Sequence, residues 1–270
     1  RSSLVGSEMC IRDRNKGGAY EETAVLYRSN AQSRAIEEAL LRISIPYRIY
    51  GGLRFYERLE IKNAIAYLKI IFNNNDNPSF ERSISNPTRG VGEKTLGKIR
   101  QTAQKYNISY IKASAKLIDE GSISGRGGSG LRDYLEFVAG CKSFIEDNSL
   151  SDLMQLIIKE SGLYSYHAKE AGEKGKTRTE NLEELITATK NFEQSVKEDK
   201  TNTEIAENYL DVISLDAGDR QAAEHDDAAQ LMTMHSAKGL EFKLVLLTGL
   251  EESLFPHGRS MESASQLEEE

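Results

Sequence analysis

The chain lacks most of the features that define secreted, membrane and metal-centred proteins. In 270 residues it has no tryptophan, four histidines and two cysteines. Cys10 and Cys141 lie far apart without CxxC spacing, so we expect neither a disulfide framework nor a metal site, and a reducing cytoplasm suits such a chain. No apolar run approaches the roughly 20 residues of a membrane span, and no basic-then-apolar signal peptide opens the chain. These absences predict a cytoplasmic protein without a membrane partner.

Strand-like and helix-like patterns divide the sequence into three parts. Residues 23–27 are a short apolar run that opens a strand–helix–strand unit ending at 47–50, and such a unit favours a parallel sheet. From 51 to 225 helical periodicity dominates. Strand-like runs return at 230–234 and 243–248. The last is continuously apolar, which predicts a strand buried on both faces.

The predicted fold class is therefore α/β with predominant helix, an incomplete parallel sheet split by a large all-α insertion. Residues 17–50 and 226–270 form the α/β part, and 51–225 form the insertion. Because each α/β piece is too small to fold well alone, we expect both to join in one sheet. Residues 1–16 have no clear hydrophobic period and are expected to be an artefactual or disordered leader. Residues 121–130 (GSISGRGGSG) are expected to form a flexible loop.

Polar side chains follow two of the predicted strands. Arg28 and Asn30 come after the first, and the loop 235–242 (HSAKGLEF) comes after the third. Open α/β sheets bind ligands in loops at the carboxyl ends of strands. An arginine can clamp a phosphate, and an asparagine can hydrogen-bond a sugar or base. The alternatives are an ordinary strand connection for the loop and a helix cap for Asn30.

A glycine-rich turn, residues 88–92 (TRGVG), precedes a predicted helix. Its glycines permit close backbone approach, and a helix N-terminus offers unpaired N–H groups, which together suit a phosphate. Although the net charge is −7, residues 86–105 hold five basic side chains and one acidic one. A local basic patch of this kind predicts sequence-independent contacts with a nucleic-acid backbone. The alternative is a glycine turn that caps a solvated helix.

Four stretches, in this order, resemble motifs of the UvrD/PcrA/Rep family of superfamily 1 DNA helicases. They are AVLYRSNAQSRAIEE from Ala24, NPTRGVGEKTL from Asn86, GEKGKTRTENLEELITAT from Gly172, and MTMHSAKGLEF from Met232, continued by GLEESLFP from Gly249. The resemblance implies the second, C-terminal RecA-like motor domain with its all-α insertion. It also implies an ATP-dependent 3′-to-5′ DNA helicase and translocase of bacterial type, cytoplasmic and nucleoid-associated.

The resemblance assigns ligands to individual residues. The implied contacts with single-stranded DNA are Arg28, Asn30, Thr233 and His235, and those with duplex DNA at the fork are Thr88, Arg89, Gly90, Val91 and Gly92. Gly239 and Glu241 lie near ATP in the relatives, with the carboxylate on the ribose and Lys238 on the phosphate side. The alternatives are a buried, satisfied imidazole for His235 and a water-exposed cap for Glu241. Around Gly172 the resemblance places Lys174, Lys176 and Arg178 near the duplex, and a solvated turn is the alternative there.

The chain lacks the phosphate-binding parts that a motor of this family needs. Gly175–Lys176–Thr177 resembles the end of a P-loop, but Glu170 stands where that pattern needs glycine. The acidic Mg²⁺-holding motif and the final arginine motif are also missing. We therefore expect an internal part of a longer protein, in which ATP, Mg²⁺ and the first motor domain belong to the intact molecule. This part alone is expected to hold no cofactor tightly and to have no catalytic residue. A non-catalytic DNA-binding module and an interaction scaffold remain the alternatives.

Overall fold

The computed structural model describes residues 19–50, 52–196, 200–216 and 226–250. The leader expected at 1–16 and the last segment, 251–270, lie outside these ranges. The chain divides into two compact units, one spanning Arg58–Asp216 and the other containing the residues before and after it. The first is helical and the second holds the sheet. The wider bounds of 51–225 for the insertion stay a prediction.

A single parallel sheet of four strands lies in the other unit, which is called the sheet unit below. The strands are β1 (Thr23–Tyr27), β2 (Tyr47–Ile49), β3 (Ala229–Thr233) and β4 (Leu244–Leu247). Their order across the sheet is β2-β3-β1-β4. β3 pairs with β1 in a register that places Ala24 opposite Gln230 and Tyr27 opposite Thr233. The predicted union of the two distant α/β pieces is therefore confirmed, and so is the predicted fold class.

One face of this sheet is covered by helix α1 (Ser33–Arg42). Its buried Leu40 packs with Val25, Tyr27 and Leu231 in the core of the sheet unit. The helix ends where Ser44 adopts a left-handed backbone with φ of 55°, two residues before Pro46. Three short 3₁₀ turns, at Tyr20–Glu22, Asn30–Gln32 and Phe55–Glu57, complete the unit. The apolar spacing in the sequence correctly predicted this strand–helix–strand arrangement.

Strand β4 differs from its prediction. It was expected to be buried on both faces, but Val245 and Leu247 are 49% and 43% exposed. In the described sheet β4 has one neighbour, β1, with Val25 opposite Leu246. Leu246 packs against the core while the residues on either side of it face outward. A continuous apolar run does not distinguish a central strand from an edge strand, because the run is the same in both.

Within its described residues, the helical unit contains helices α2 to α10. Helix α2 (Leu59–Phe72) is buried along almost its whole length and packs against several others, which explains its nearly continuous apolar sequence. No described helix is both long and apolar enough to cross a membrane. The remaining helices are α3 (Asn77–Ser85), α4 (Glu93–Tyr106), α5 (Tyr110–Asp119), α6 (Gly125–Asp147), α7 (Leu150–Glu160), α8 (Leu163–Ala168), α9 (Glu173–Ser195) and α10 (Asn202–Asp216).

The glycine-rich segment 121–130 is mostly not a loop, which corrects its prediction. Helix α6 begins at Gly125 and includes the run GRGGSG in its first turns. The physical reason is close packing against the backbone of residues 89–90. A Cβ atom at Gly130 would lie 2.0 Å from the carbonyl oxygen of Arg89, and one at Gly127 would lie 3.1 Å from that of Gly90. Here glycine provides room for packing, which composition alone does not reveal.

Candidate nucleic-acid interface

Two loops meet at the carboxyl ends of β1 and β3. Because Tyr27 lies opposite Thr233, the residues that follow each strand emerge side by side, and the N–H of Met234 donates to Tyr27 O at 2.9 Å. Arg28 Nη1 lies 3.5 Å from His235 Nδ1, at the outer limit of a hydrogen bond. The structure thus brings together two of the four residues predicted to contact single-stranded DNA, beside a third, Thr233.

The turn after β1 is held by a side chain that the sequence analysis did not single out. Gln32 Oε1 accepts the N–H groups of both Arg28 and Ser29 at 2.9 Å. Ser29 caps the following 3₁₀ turn, since its Oγ accepts the N–H of Ala31 at 3.3 Å. The cap is therefore Ser29, and the alternative of an Asn30 cap is wrong. The S-x-x-Q spacing of a capping box was the available signal.

His235 is exposed, which rules out the alternative of a buried, satisfied imidazole. Its neighbour Thr233 is partly buried, and its hydroxyl lies 2.9 Å from Ser236 Oγ and accepts the N–H of Ser236 at 3.2 Å. Thr233 thus fixes the first turn of the loop that carries His235. An exposed aromatic ring beside an arginine can stack on a base while the guanidinium binds a phosphate.

The residues predicted near ATP occupy the second half of the same loop. Lys238, Gly239 and Glu241 are all exposed, and neither charged side chain has a hydrogen bond or ion pair among the described residues. Gly239 has φ of +84°, and a Cβ there would meet nothing within 4 Å. Glycine is therefore needed for the backbone conformation and not for close approach. An ammonium and a carboxylate on one short loop fit a phosphate and a ribose.

The predicted duplex-binding turn joins α3 to α4. Thr88, Gly90 and Gly92 are exposed, while Val91 is buried and anchors the turn. Gly92 is the N-cap of α4. Because glycine has no side chain, it caps none of the N–H groups in the first turn of the helix. Gly90 has φ of +74°, which disfavours any other residue. This is the backbone geometry that the sequence predicted for a phosphate-binding turn.

Arg89, however, turns inward. Its Nη1 donates to Ser83 O at 3.2 Å and Pro87 O at 3.0 Å, and its Nη2 donates to Ser161 O at 2.7 Å. The guanidinium also lies 5.5 Å and 5.6 Å from the ring centroids of Tyr67 and Tyr134. Three donors are thus already used in holding the turn. Arg89 is placed to support the turn from behind, and its predicted contact with DNA is not supported by the direction of its side chain.

The basic patch predicted at 86–105 carries less unpaired positive charge than the count of its basic side chains suggested. Arg100 pairs with Glu93 and, through bonds of 2.6 Å and 2.7 Å, with Glu81 on α3. This guanidinium lowers the pKa of the Glu81 carboxyl. Lys98 donates to Ser122 O at 2.9 Å, whereas Lys94 is exposed next to Gly92. Glu81 lies outside the stretch that was counted, so the local sum overestimated the positive charge.

Near the start of α9, Arg178 is likewise used internally. Its Nη1 donates to both carboxylate oxygens of Glu170, at 2.6 Å and 2.8 Å, and its Nε lies 3.6 Å from Glu60 Oε2. His167, which is buried, places Nδ1 2.6 Å from Glu170 Oε1. The run Gly175–Lys176–Thr177 lies inside helix α9, which excludes a phosphate-binding loop there. The helix begins at Glu173, two residues before this run.

This cluster predicts acid sensitivity. The hydrogen bond with His167 and, after it, Arg178 lower the pKa of the Glu170 carboxyl below its usual value. The stabilisation is therefore fully present above about pH 4.5 and is lost as the pH falls through the lowered pKa. We expect Glu170→Gln to lower the urea midpoint of unfolding at pH 7. The difference in midpoint between wild type and this variant should become smaller below pH 4.5. Glu173→Gln, at the exposed first residue of α9, is the control. A difference in midpoint that stays constant with pH would contradict the stabilising role of the Glu170 carboxylate.

No group of three or more histidine, cysteine, aspartate or glutamate side chains suited to a metal ion occurs among the described residues.

The profile of the UvrD-like helicase C-terminal domain matches residues 5–123 and 133–270. The match includes most of the segment 1–16, which was expected to be an artefactual or disordered leader.

Relatives with curated descriptions carry helicase names. The chain is 46% identical over 256 residues to DNA helicase II of Escherichia coli K12, covering 95% of this chain and 35% of that protein. It is 38% identical over 253 residues to the ATP-dependent DNA helicase PcrA of Leuconostoc citreum, covering 93% of this chain and 34% of that protein. The chain thus spans about a third of the length of these relatives. With the family profile matching nearly all of its length, this chain belongs to the UvrD-like helicase C-terminal domain family.

Proposed function

We propose that the chain is a DNA-binding part of an ATP-dependent 3′-to-5′ DNA helicase and translocase. The observation that carries the proposal is the pairing of Arg28 with His235 at adjacent strand ends of one parallel sheet. A cation and an exposed aromatic ring at this edge are the two groups that hold single-stranded DNA without reading its sequence. The relatives that share these segments are named as DNA helicases.

Each part of the interface has a distinct task in this proposal. Arg28 binds a backbone phosphate, His235 stacks on a base or donates to a phosphate, and Thr233 fixes the loop between them. Asn30 remains a candidate for a sugar or base contact. The turn Thr88–Gly92 presents backbone N–H groups to a duplex phosphate, and Arg89 supports it from within. These contacts do not select bases, as a motor that moves along any sequence requires.

For ATP, the proposed contacts are Glu241 to the ribose and Lys238 to the phosphate side, with Gly239 shaping the loop between them. ATP supplies the free energy that drives closure between motor domains in the intact protein. The ATP loop and the strand-contacting loop are one connection, from β3 to β4, so the proposed ATP and DNA contacts share one loop. The first motor domain, Mg²⁺ and the P-loop belong to the rest of the intact protein in this proposal.

Binding and turnover by this chain test the proposal together. We expect fluorescence anisotropy to show that the chain binds a labelled oligothymidylate of about 20 nucleotides, with an affinity that falls steeply as salt is added. We expect no ATP hydrolysis with or without that strand. The sequence has one Gly–Lys–Thr run, and because this run lies inside helix α9 it does not form a phosphate-binding loop. Clear turnover would contradict the missing P-loop. Absence of strand binding would favour the interaction scaffold.

A further inference from the structure

An exposed arginine stands beside the duplex-binding turn and has no task in the function proposed above. Arg126 lies in the first turn of α6, within the segment that composition had marked as a loop. Its stem crosses Gly90, because a Cβ at Gly90 would lie 3.0 Å from Cγ of Arg126, 3.4 Å from Cδ and 3.5 Å from Nε. Among the described residues Arg126 makes no hydrogen bond or ion pair.

The backbone that carries this side chain is fixed by close packing. The carbonyl oxygens of Arg89 and Gly90 lie against Gly130 and Gly127 of α6, with room for no larger residue at Gly130. Contacts this close hold the start of α6 against the turn. The fold therefore holds the Cα of residue 126 within reach of the turn, and the side chain extends from it over Gly90.

The two arginines within residues 86–105 are already engaged. Arg89 donates to three carbonyl oxygens, and Arg100 is neutralised by Glu81 and Glu93. A backbone turn that binds DNA phosphate gains most from an adjacent cation whose donors face solvent. Arg126 meets this condition through its exposure, its lack of a described partner and its contact with Gly90.

We propose that Arg126 is the arginine that contacts duplex phosphate at this turn, in the role that the sequence motif suggests for Arg89. The proposal rests on the proposed duplex-binding role of residues 88–92. It adds a residue from a different helix, 34 or more positions later in the sequence than the turn itself. The ligand chemistry is a phosphodiester of double-stranded DNA, bound without base recognition.

The test measures binding of this chain to a blunt duplex of about 20 base pairs across a range of salt concentrations. Arg126→Ala is expected to weaken binding up to about fivefold, as for loss of one exposed ion pair. It should also reduce the slope of log affinity against log salt by about 0.9. Arg126→Lys should keep that slope, because it keeps the charge. Circular dichroism checks that each variant retains its helix content.

Arg132→Ala is the matched control. It removes the same charge from the same helix, at an exposed residue about 9 Å further along the axis and about 120° around it. We expect it to leave the salt slope unchanged. Equal effects of the two alanine variants would overturn the role of Arg126 while leaving duplex binding intact. A wild-type chain that does not bind the duplex at all would overturn both this inference and the duplex part of the proposed function.

Discussion

Replacing Arg89 with alanine should lower the free energy of unfolding of the helical unit by about 3 kcal/mol, which is a large part of a typical domain's stability. The guanidinium holds carbonyl oxygens from three places in the chain: Ser83, Pro87 and Ser161. Hydrogen bonds from charged donors contribute about 1.5–3 kcal/mol each, and they are not additive. Removing the guanidinium also leaves these carbonyl oxygens with fewer hydrogen-bond donors.

The aromatic groups around Arg89 strengthen this expectation. The rings of Tyr67 and Tyr134 lie against the guanidinium, and burial raises the pKa of Tyr67 to about 12. The Tyr67 hydroxyl therefore stays protonated, and it donates to Ser83 O at 2.6 Å and to Asn86 O at 2.9 Å. Alanine at position 89 would remove the cation that both rings and these carbonyls surround.

Urea unfolding followed by circular dichroism measures the loss. Arg89→Lys should recover less than half of it, because one ammonium cannot reach carbonyls on opposite sides of a planar guanidinium. Arg132→Ala, an exposed arginine of the same unit, should match wild type. An Arg89→Ala chain as stable as wild type, but weaker in duplex binding, would show that Arg89 faces DNA and that Arg126 does not replace it.

The second large effect is expected at the strand ends. Replacing His235 with alanine should weaken binding to a single-stranded oligothymidylate by about tenfold, because stacking on one base contributes about 1–3 kcal/mol. Arg28→Ala should weaken binding as well and also reduce the salt slope by about 0.7, the contribution of one phosphate on a single strand. Both residues lie on the same edge of the sheet, 3.5 Å apart between Arg28 Nη1 and His235 Nδ1.

A rescue variant separates stacking from hydrogen bonding. His235→Phe keeps a ring but has no donor, so it should restore most of the affinity if stacking dominates and none if the imidazole binds phosphate. Arg42→Ala, at an exposed arginine in the last turn of α1, is the control for loss of charge in the same unit. If His235→Ala and Arg42→Ala behave alike, the strand-end site is refuted.

Features set by neighbouring residues could be predicted from the sequence, and contacts between residues far apart in the sequence could not. Strands β1, β2 and β3 could be predicted because each is a local apolar run, and their union in one sheet because each α/β piece is too small to fold well alone. The inward turn of Arg89 could not, since its third carbonyl partner lies 72 residues away. The neutralisation of Arg100 by Glu81 spans 19 residues and was missed by a local count of charges.

Composition misled in one further way. Glycine and serine in residues 121–130 predicted flexibility, but Gly127, Gly128 and Gly130 of α6 are packed against neighbouring backbone. A linker and a tightly packed helix start have the same composition, and only the packing partner tells them apart. Strand β4 shows the opposite error. Its apolar run predicted burial on both faces, but such a run does not indicate how many neighbouring strands cover it.

The strand order also sets the sequence of events during folding. Strands β1 and β2 are neighbours in the chain, yet neither pairs with the other, because β3 lies between them. A ribosome releases the whole helical unit before it releases residues 229–233. The first two strands therefore have no β3 to hydrogen-bond with while the helices are being released. Pairing of β3 with both strands then joins them and, in the same step, brings His235 beside Arg28. The proposed grip on single-stranded DNA is thus among the last features of this chain to form.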